Sequence, residues 1–265
     1  MDASILEKVL AEAQKRVADN TSSTTPCSNE VVTGSGHTIT EFVGTAMGDT
    51  IGLVIANLDP QLHDFLEIDK KYRSIGFLSA RTGGAPHIMS ADEAVKATNT
   101  EIVKIEMARD TKGGAGHGAT IIFAAEDVSD ARRAVEITLE AVERNFGNVY
   151  SNDAGHIELH YTARASQALE VGFTAPVGKS FGIIVGAPAA IGLVMADTAV
   201  KTANVDVVTF ASPDKGTARS NEIIVSITGD SGAVKQSLLS AQDVGLAALE
   251  TLGGKAASSS TPTLV

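Results

Sequence analysis

Tryptophan is absent from this 265-residue chain, and only eight Phe and three Tyr supply aromatic bulk. A core made this way is thin and depends on close contact between aliphatic and small side chains, which the chain has in quantity, including 25 Gly. Cysteine occurs once, as Cys27 in a polar segment, so no intrachain disulfide can form and a reducing compartment is expected. Cationic side chains are also few, 21 Lys and Arg against 32 Asp and Glu, giving a net charge of −11. They form no cluster and do not interleave with aromatics, which removes the electrostatic footprint of a nucleic-acid partner and disfavours anionic lipid. No apolar run approaches the ~20 residues of a membrane span, and the acidic N-terminus lacks the basic and apolar regions of a secretory signal. The expectation is a soluble cytoplasmic protein with no nucleic-acid and no membrane partner.

What is present occurs twice. Ala196-Asp197-Thr198-Ala199-Val200-Lys201-Thr202-Ala203-Asn204-Val205-Asp206-Val207-Val208 restates Ala91 to Val103 at a constant offset of 105, with seven of thirteen positions identical. Upstream, Ser74-Ile75-Gly76-Phe77 answers to Ser180-Phe181-Gly182-Ile183. Downstream, Glu126-Asp127 with a helical pattern from Ala131 answers to Gly229-Asp230 with one from Val234. A weaker echo precedes each copy, Glu41 with Thr45-Ala46 against Glu158 with Thr162-Ala163. A period this long is the size of a small domain rather than of a solenoid unit. Two homologous domains follow, 40–150 and 151–254, preceded by an N-terminal segment, 1–39, and followed by a tail, 255–265, expected to be disordered.

In the N-terminal segment Ile5, Leu6, Val9, Leu10, Ala13 and Val17 share one arc of a helical wheel, and a polar linker runs from Asp19 to Gly36. A helix this short is marginal alone in water and calls for a partner surface, its own domain, a neighbouring subunit or another protein. Both domains read as strands around two longer helices. Ile102 to Met107 alternates, placing Val103, Ile105 and Met107 on one face, and Ala131, Ala134, Val135, Thr138, Leu139, Val142 and Phe146 trace a helical stripe that Gly147 ends. Each domain is expected to be an α+β layer, a mostly antiparallel sheet with helices on one face.

Motifs that could carry catalysis fall short of it. Gly113-Gly114-Ala115-Gly116-His117-Gly118 resembles a phosphate-binding loop but runs into a strand, whereas anion capture needs a helix N-terminus. His156, Glu158 and His160 share a strand face, one way to present metal ligands, but no further His/Cys cluster completes the set, and surface or interface histidines are expected. No Gly-x-Ser-x-Gly elbow appears. The sequence calls for no cofactor and gives no reason to expect an enzyme.

Ala196-Asp197-Thr198-Ala199-Val200-Lys201-Thr202-Ala203-Asn204-Val205, followed by Thr228-Gly229-Asp230-Ser231-Gly232-Ala233-Val234-Lys235, resembles the signature of bacterial microcompartment shell domains. With Glu41-Phe42-Val43-Gly44-Thr45-Ala46, Arg81-Thr82-Gly83, Arg109 to Gly114 and Tyr161 to Ala165, residues 40 to 253 are similar to the PduB-type tandem shell family of propanediol-utilisation and related microcompartments. The resemblance implies two circularly permuted shell domains per chain. It also implies homotrimers that look like hexamers and that tile with other shell proteins around an enzyme core. Lys96 and Lys201 occupy the position that meets its mate across the tile edge. The matching pore loops carry Arg109, Asp110, Lys112, Gly113, Gly114, Gly116 and His117 in the first domain and Asp214, Lys215, Gly216 and Arg219 in the second. Small polar metabolites would pass at an assembled axis through these loops, or between the two domains. The helix through Ile5 and Val17 would tether encapsulated enzymes. A reading from another class is a soluble sensor that binds a small molecule on the same tandem fold.

Overall fold

The computed structural model describes residues 40–107, 117–212 and 221–264, all within one compact unit, Val32–Val265. The first sheet contains β1 (Thr40–Ala46), β2 (Thr50–Ile55), β3 (Ser74–Ala80), β4 (Glu101–Glu106) and β5 (Ala119–Ala125), in the order β1-β2-β3-β5-β4 and antiparallel throughout. Helices α1 (Pro60–Leu66), α2 (Gly84–Ala97) and α3 (Val128–Phe146) connect and follow these strands. The second sheet contains β6 (Val149–Asn152), β7 (Gly155–Thr162), β8 (Ser180–Ala187), β9 (Val205–Ala211), β10 (Ile223–Gly229) and β11 (Ala257–Ser258), in the order β11-β6-β7-β8-β10-β9. Its helices are α4 (Gln167–Phe173), α5 (Ala189–Thr202) and α6 (Ser231–Gly253).

The long helices of each domain lie on one face of its sheet. On α3 the stripe read from the sequence is buried apart from the half-buried Leu139, and Thr138 joins it because its hydroxyl donates to the Ala134 carbonyl at 2.7 Å. The short helices cover the opposite faces. The segment around α1 places Leu58, Ile68 and Tyr72 against Ile75, Ile122 and Ala124, and α4 places Leu169 and Phe173 among Phe181, Ile183 and Val185. Helix α1 is started by Asp59, whose carboxylate accepts the Gln61 N–H at 2.8 Å. Both short helices end on a left-handed residue, Glu67 and Thr174, which fixes their correspondence at an offset of 107.

Four expectations are corrected. Strand β4 does not alternate through its length, because a β-bulge between Ile102 and Lys104 sends Val103 to the α1 side while Ile102, Ile105 and Met107 face α2. The same bulge recurs in the β9–β10 pairing between Ser226 and Ile227. The boundary between domains falls before Val149 rather than after 150, since β6 pairs with β7 of the second sheet. The tail is ordered through Leu264: β11 pairs with β6, and the Asn148 side chain accepts the Thr263 and Leu264 N–H groups at 3.0 Å each. Finally, Glu41 and Glu158 are not equivalent. Glu41 lies on the edge strand β1, paired with Arg132, whereas Glu158 on β7 faces Val185 as Ile51 on β2 faces Ser79.

Candidate functional site at the domain junction

The Ala-Asp-x-x-Val-Lys segment forms the last turns of α2 and of α5, but its two copies meet different surroundings. In α2, Asp92 is buried (1% exposed) because the second domain covers it. It accepts the Ser166 N–H at 2.7 Å and the Ser166 hydroxyl at 2.5 Å, while Lys96 donates to its other oxygen at 2.5 Å. The Lys96 ammonium also reaches Thr162 Oγ1 at 3.4 Å. Alongside, Gln167 accepts the Ile102 N–H at 3.0 Å, and Gly172 leaves room for Ile88 and Ile105 to lie against α4. The cores of the two domains are thereby continuous. In α5 the matching pair, Asp197 and Lys201 at 2.7 Å, stands in the open, with side chains 55% and 72% exposed.

The face around Lys201 is bare and apolar. Leu193 and Phe210 occupy the positions of Ile88 and Ile105, and they are 52% and 54% exposed. At the other end of the chain α1 presents Leu62 (46%) and Phe65 (85%), at the positions of Leu169 and Gly172. Each half of the junction inside the chain therefore has an uncovered counterpart elsewhere on it.

Beneath the junction lies a buried polar cluster. The Glu222 carboxylate, 2% exposed, faces His117 Nδ1 of the first domain at 2.6 Å and His156 Nε2 at 3.3 Å. His156 also stands 3.6 Å from Glu158, and Glu158 stands 3.5 Å from His160. Not all of these groups are satisfied: Glu158 Oε1 and both ring nitrogens of His160 have no hydrogen-bond partner among the described residues. Burial opposes charge on Glu222, but hydrogen bonding and attraction to His117 and His156 prevail and bring its pKa down to about 2. For His156 burial is again the largest influence and lowers the pKa, yet Glu222 and Glu158 together raise it. His87, bonded to Thr50 at 2.7 Å, is lowered by its burial to about 4 and stays neutral. A small cavity lined by His117, Glu158, Glu222, Met107, Phe173 and Ile224 lies at the cluster. A cleft of about 320 Å³ adjoins it, sharing Met107, His117, Phe173 and Ile224 and reaching Thr174 and Thr209. Among the described residues no group of three or more His, Cys, Asp or Glu is placed to hold a metal ion, and no helix is long and apolar enough to cross a membrane.

The BMC domain family matches the chain twice, over residues 74–154 and 180–259, each match starting at the third strand of a domain. The chain belongs to the bacterial microcompartment shell proteins, as a tandem member of the PduB type. The bacterial microcompartment shell protein PduB of Salmonella typhimurium (strain LT2) is 55% identical over 256 residues, covering 95% of both chains. The crystal structure of EtuB from Clostridium kluyveri superposes with a TM-score of 0.81 at 56% identity, covering 84% of this chain and 97% of that one. A trimeric shell protein PduB superposes at 0.80 with 48% identity, covering 84% and 98%. The two matches leave β1, β2 and β7 outside them, as a circular permutation of each shell domain does. A shell protein of this kind is a structural component of the microcompartment wall.

Of the residues singled out from the sequence of this shell protein, Lys96 and Lys201 lie at equivalent positions in α2 and α5. His117 is buried against Glu222. Arg109, Asp110, Lys112, Gly113, Gly114, Gly116, Asp214, Lys215, Gly216 and Arg219 lie outside the described residues, as do Ile5, Leu6, Val9, Leu10, Ala13 and Val17. Glu222 was not legible as a site residue. Spacing along β7 groups His156, Glu158 and His160, but only the fold adds partners from the starts of β5 and β10.

Proposed function

We propose that this chain is a structural, non-catalytic shell tile that closes into a homotrimer by repeating between copies the junction it already makes between its own domains. The carrying observation is the pair of bare, matching faces, Leu62 and Phe65 on α1 and Leu193 and Phe210 on α5 and β9. Such a contact is head-to-tail and must either close into a ring or run on as a filament. The trimeric PduB relative supports closure at three copies, which makes six junctions in the ring, three within chains and three between them. Lys96 and Lys201 are the tile-edge contacts to other shell proteins. Small polar metabolites use the cleft between the domains, where Thr174, Thr209 and the acidic cluster offer polar groups beside Met107 and Phe173.

Electron microscopy of the protein with a single-domain shell partner tests the tile. Wild-type trimers are expected to join extended sheets, and Lys96→Ala/Lys201→Ala trimers to stay discrete. Discrete oligomers in the wild type would overturn the tile and favour the sensor reading. The stripe from Ile5 to Val17 holds encapsulated enzymes to the shell. Deleting residues 2–36 should leave trimers intact and release cargo, measured as enzyme co-purifying with assembled shells; retained cargo would exclude the tether.

A further inference from the structure

The polar cluster belongs to the junction inside the chain. At the junction between copies the positions of Glu158 and His160 are occupied by Ile51 and Leu53. Chemistry there is therefore independent of the contact that closes the ring. Two carboxylates, Glu158 and Glu222, are sunk into this seam with no Lys or Arg paired to them among the described residues. The groups that face them are imidazoles: His156 and His160 from β7, His117 from the start of β5 in the first domain, and His87 from α2, which is neutral. The rest of the lining includes Met107, Phe173 and Ile224. Among the described residues, the groups able to neutralise these carboxylates are therefore imidazoles, whose charge is an exchangeable proton.

We propose that this cluster is a proton-operated latch between the two domains, closed while imidazolium charge at His156 neutralises the two carboxylates it stands between, Glu158 and Glu222, and loosened when that charge is lost. Without the proton, two carboxylates remain in a small, mostly apolar cavity. A buried ion left uncompensated is strongly destabilising, and water entering to solvate it separates His117 from Glu222. Opening there joins the cavity to the adjoining cleft through their shared wall. If the cleft carries metabolites, as proposed above, the latch sets its width, but the latch can be tested on the isolated protein.

The direction with pH follows from the two shifted groups. His156 is raised from its ordinary 6.5, so its contribution is complete below that value and lost as pH rises through the raised one. Glu222 is lowered from 4.5 to about 2, so its contribution is complete above 4.5 and lost as pH falls toward 2. The seam is tightest between these limits and loosens on the alkaline side.

Hydrogen exchange of the full chain at pH 5.5 and 8.5, corrected for the intrinsic rate at each pH, reads this directly. Protection of β7 and β10 is expected to fall roughly tenfold at the higher pH, while β1 stays unchanged. In Glu158→Gln/Glu222→Gln, which keeps side-chain shape without charge, the difference between the two pH values should vanish. Should that variant not fold, His156→Gln at pH 5.5 should match the wild type at 8.5 and show no further change with pH. Equal protection in the wild type at both pH values, or a pH dependence that survives in the variant, would overturn the latch.

Discussion

Phe65→Asp is expected to convert the trimer into monomers at micromolar concentration, as measured by light scattering after size exclusion. Phe65 is 85% exposed in the isolated chain, although the glycine at its position in α4 lies against Ile88 and Ile105. In the proposed ring Leu193 and Phe210, the counterparts of those two residues, receive Phe65 where α4 has Gly172. Burying one such side chain is worth about 1.5–3 kcal/mol, and truncating a central anchor commonly costs 2 kcal/mol or more. Asp there also strands a charge. The same loss recurs at all three junctions, so dissociation should be steep. Phe210→Asp should give the same result from the other face. Because the contact is head-to-tail, a mixture of the two variants retains one intact junction, between the wild-type α1 of one and the wild-type β9 of the other. The mixture should therefore form a one-to-one dimer that cannot grow. Trimers persisting in Phe65→Asp would exclude this interface.

The repeat made much of this architecture legible, because identical residues at a fixed offset mark the same elements in each domain. Helix α3 was readable for the same reason that it folds: its stripe has one partner surface and one period. The bulge in β4 was not, since an extra residue at Val103 is invisible in a sequence that already alternates. The tail looked polar and repetitive, yet Asn148 supplies the hydrogen bonds that hold Thr263 and Leu264, a contact 115 residues or more distant in the chain. The repeat also misled where it was weakest, matching Glu41 with a glutamate on a different strand. The site was legible only where it was local. Spacing put three polar residues on one face of β7, but the meaning of that face depends on His117 and Glu222, which approach it from the ends of two loops in different domains. Equivalent positions also diverge: Asp92 and Asp197 read identically, and only one is buried, because chain connectivity covers the first.

Gly186→Ala should have a large effect on stability. The absence of tryptophan and the abundance of glycine imply a thin core, and at this position helix and sheet touch backbone to backbone. A Cβ on Gly186 would stand 2.5 Å from both the Cα and the N of Gly192, and a Cβ on Gly192 would stand 2.8 Å from the Gly186 carbonyl oxygen. Neither contact is the tip of a side chain that could turn away, so α5 must lift from β8. Overpacking of this kind costs about 3 kcal/mol, at the upper end of its usual range, which corresponds to a fall of roughly 10 °C in Tm for a chain of this size. Calorimetry checks it, with Gly232→Ala as the control. Gly232 lies in the first turn of α6 with nothing within 4 Å of the added methyl, so that change should be neutral or slightly stabilising. A Gly186→Ala protein with wild-type Tm would mean that α5 does not rest on β8 as described. The consequence reaches beyond stability, because α5 also carries Leu193 and Lys201. A helix displaced from its sheet presents both at the wrong height, so below its Tm the same variant should form trimers weakly and join sheets poorly.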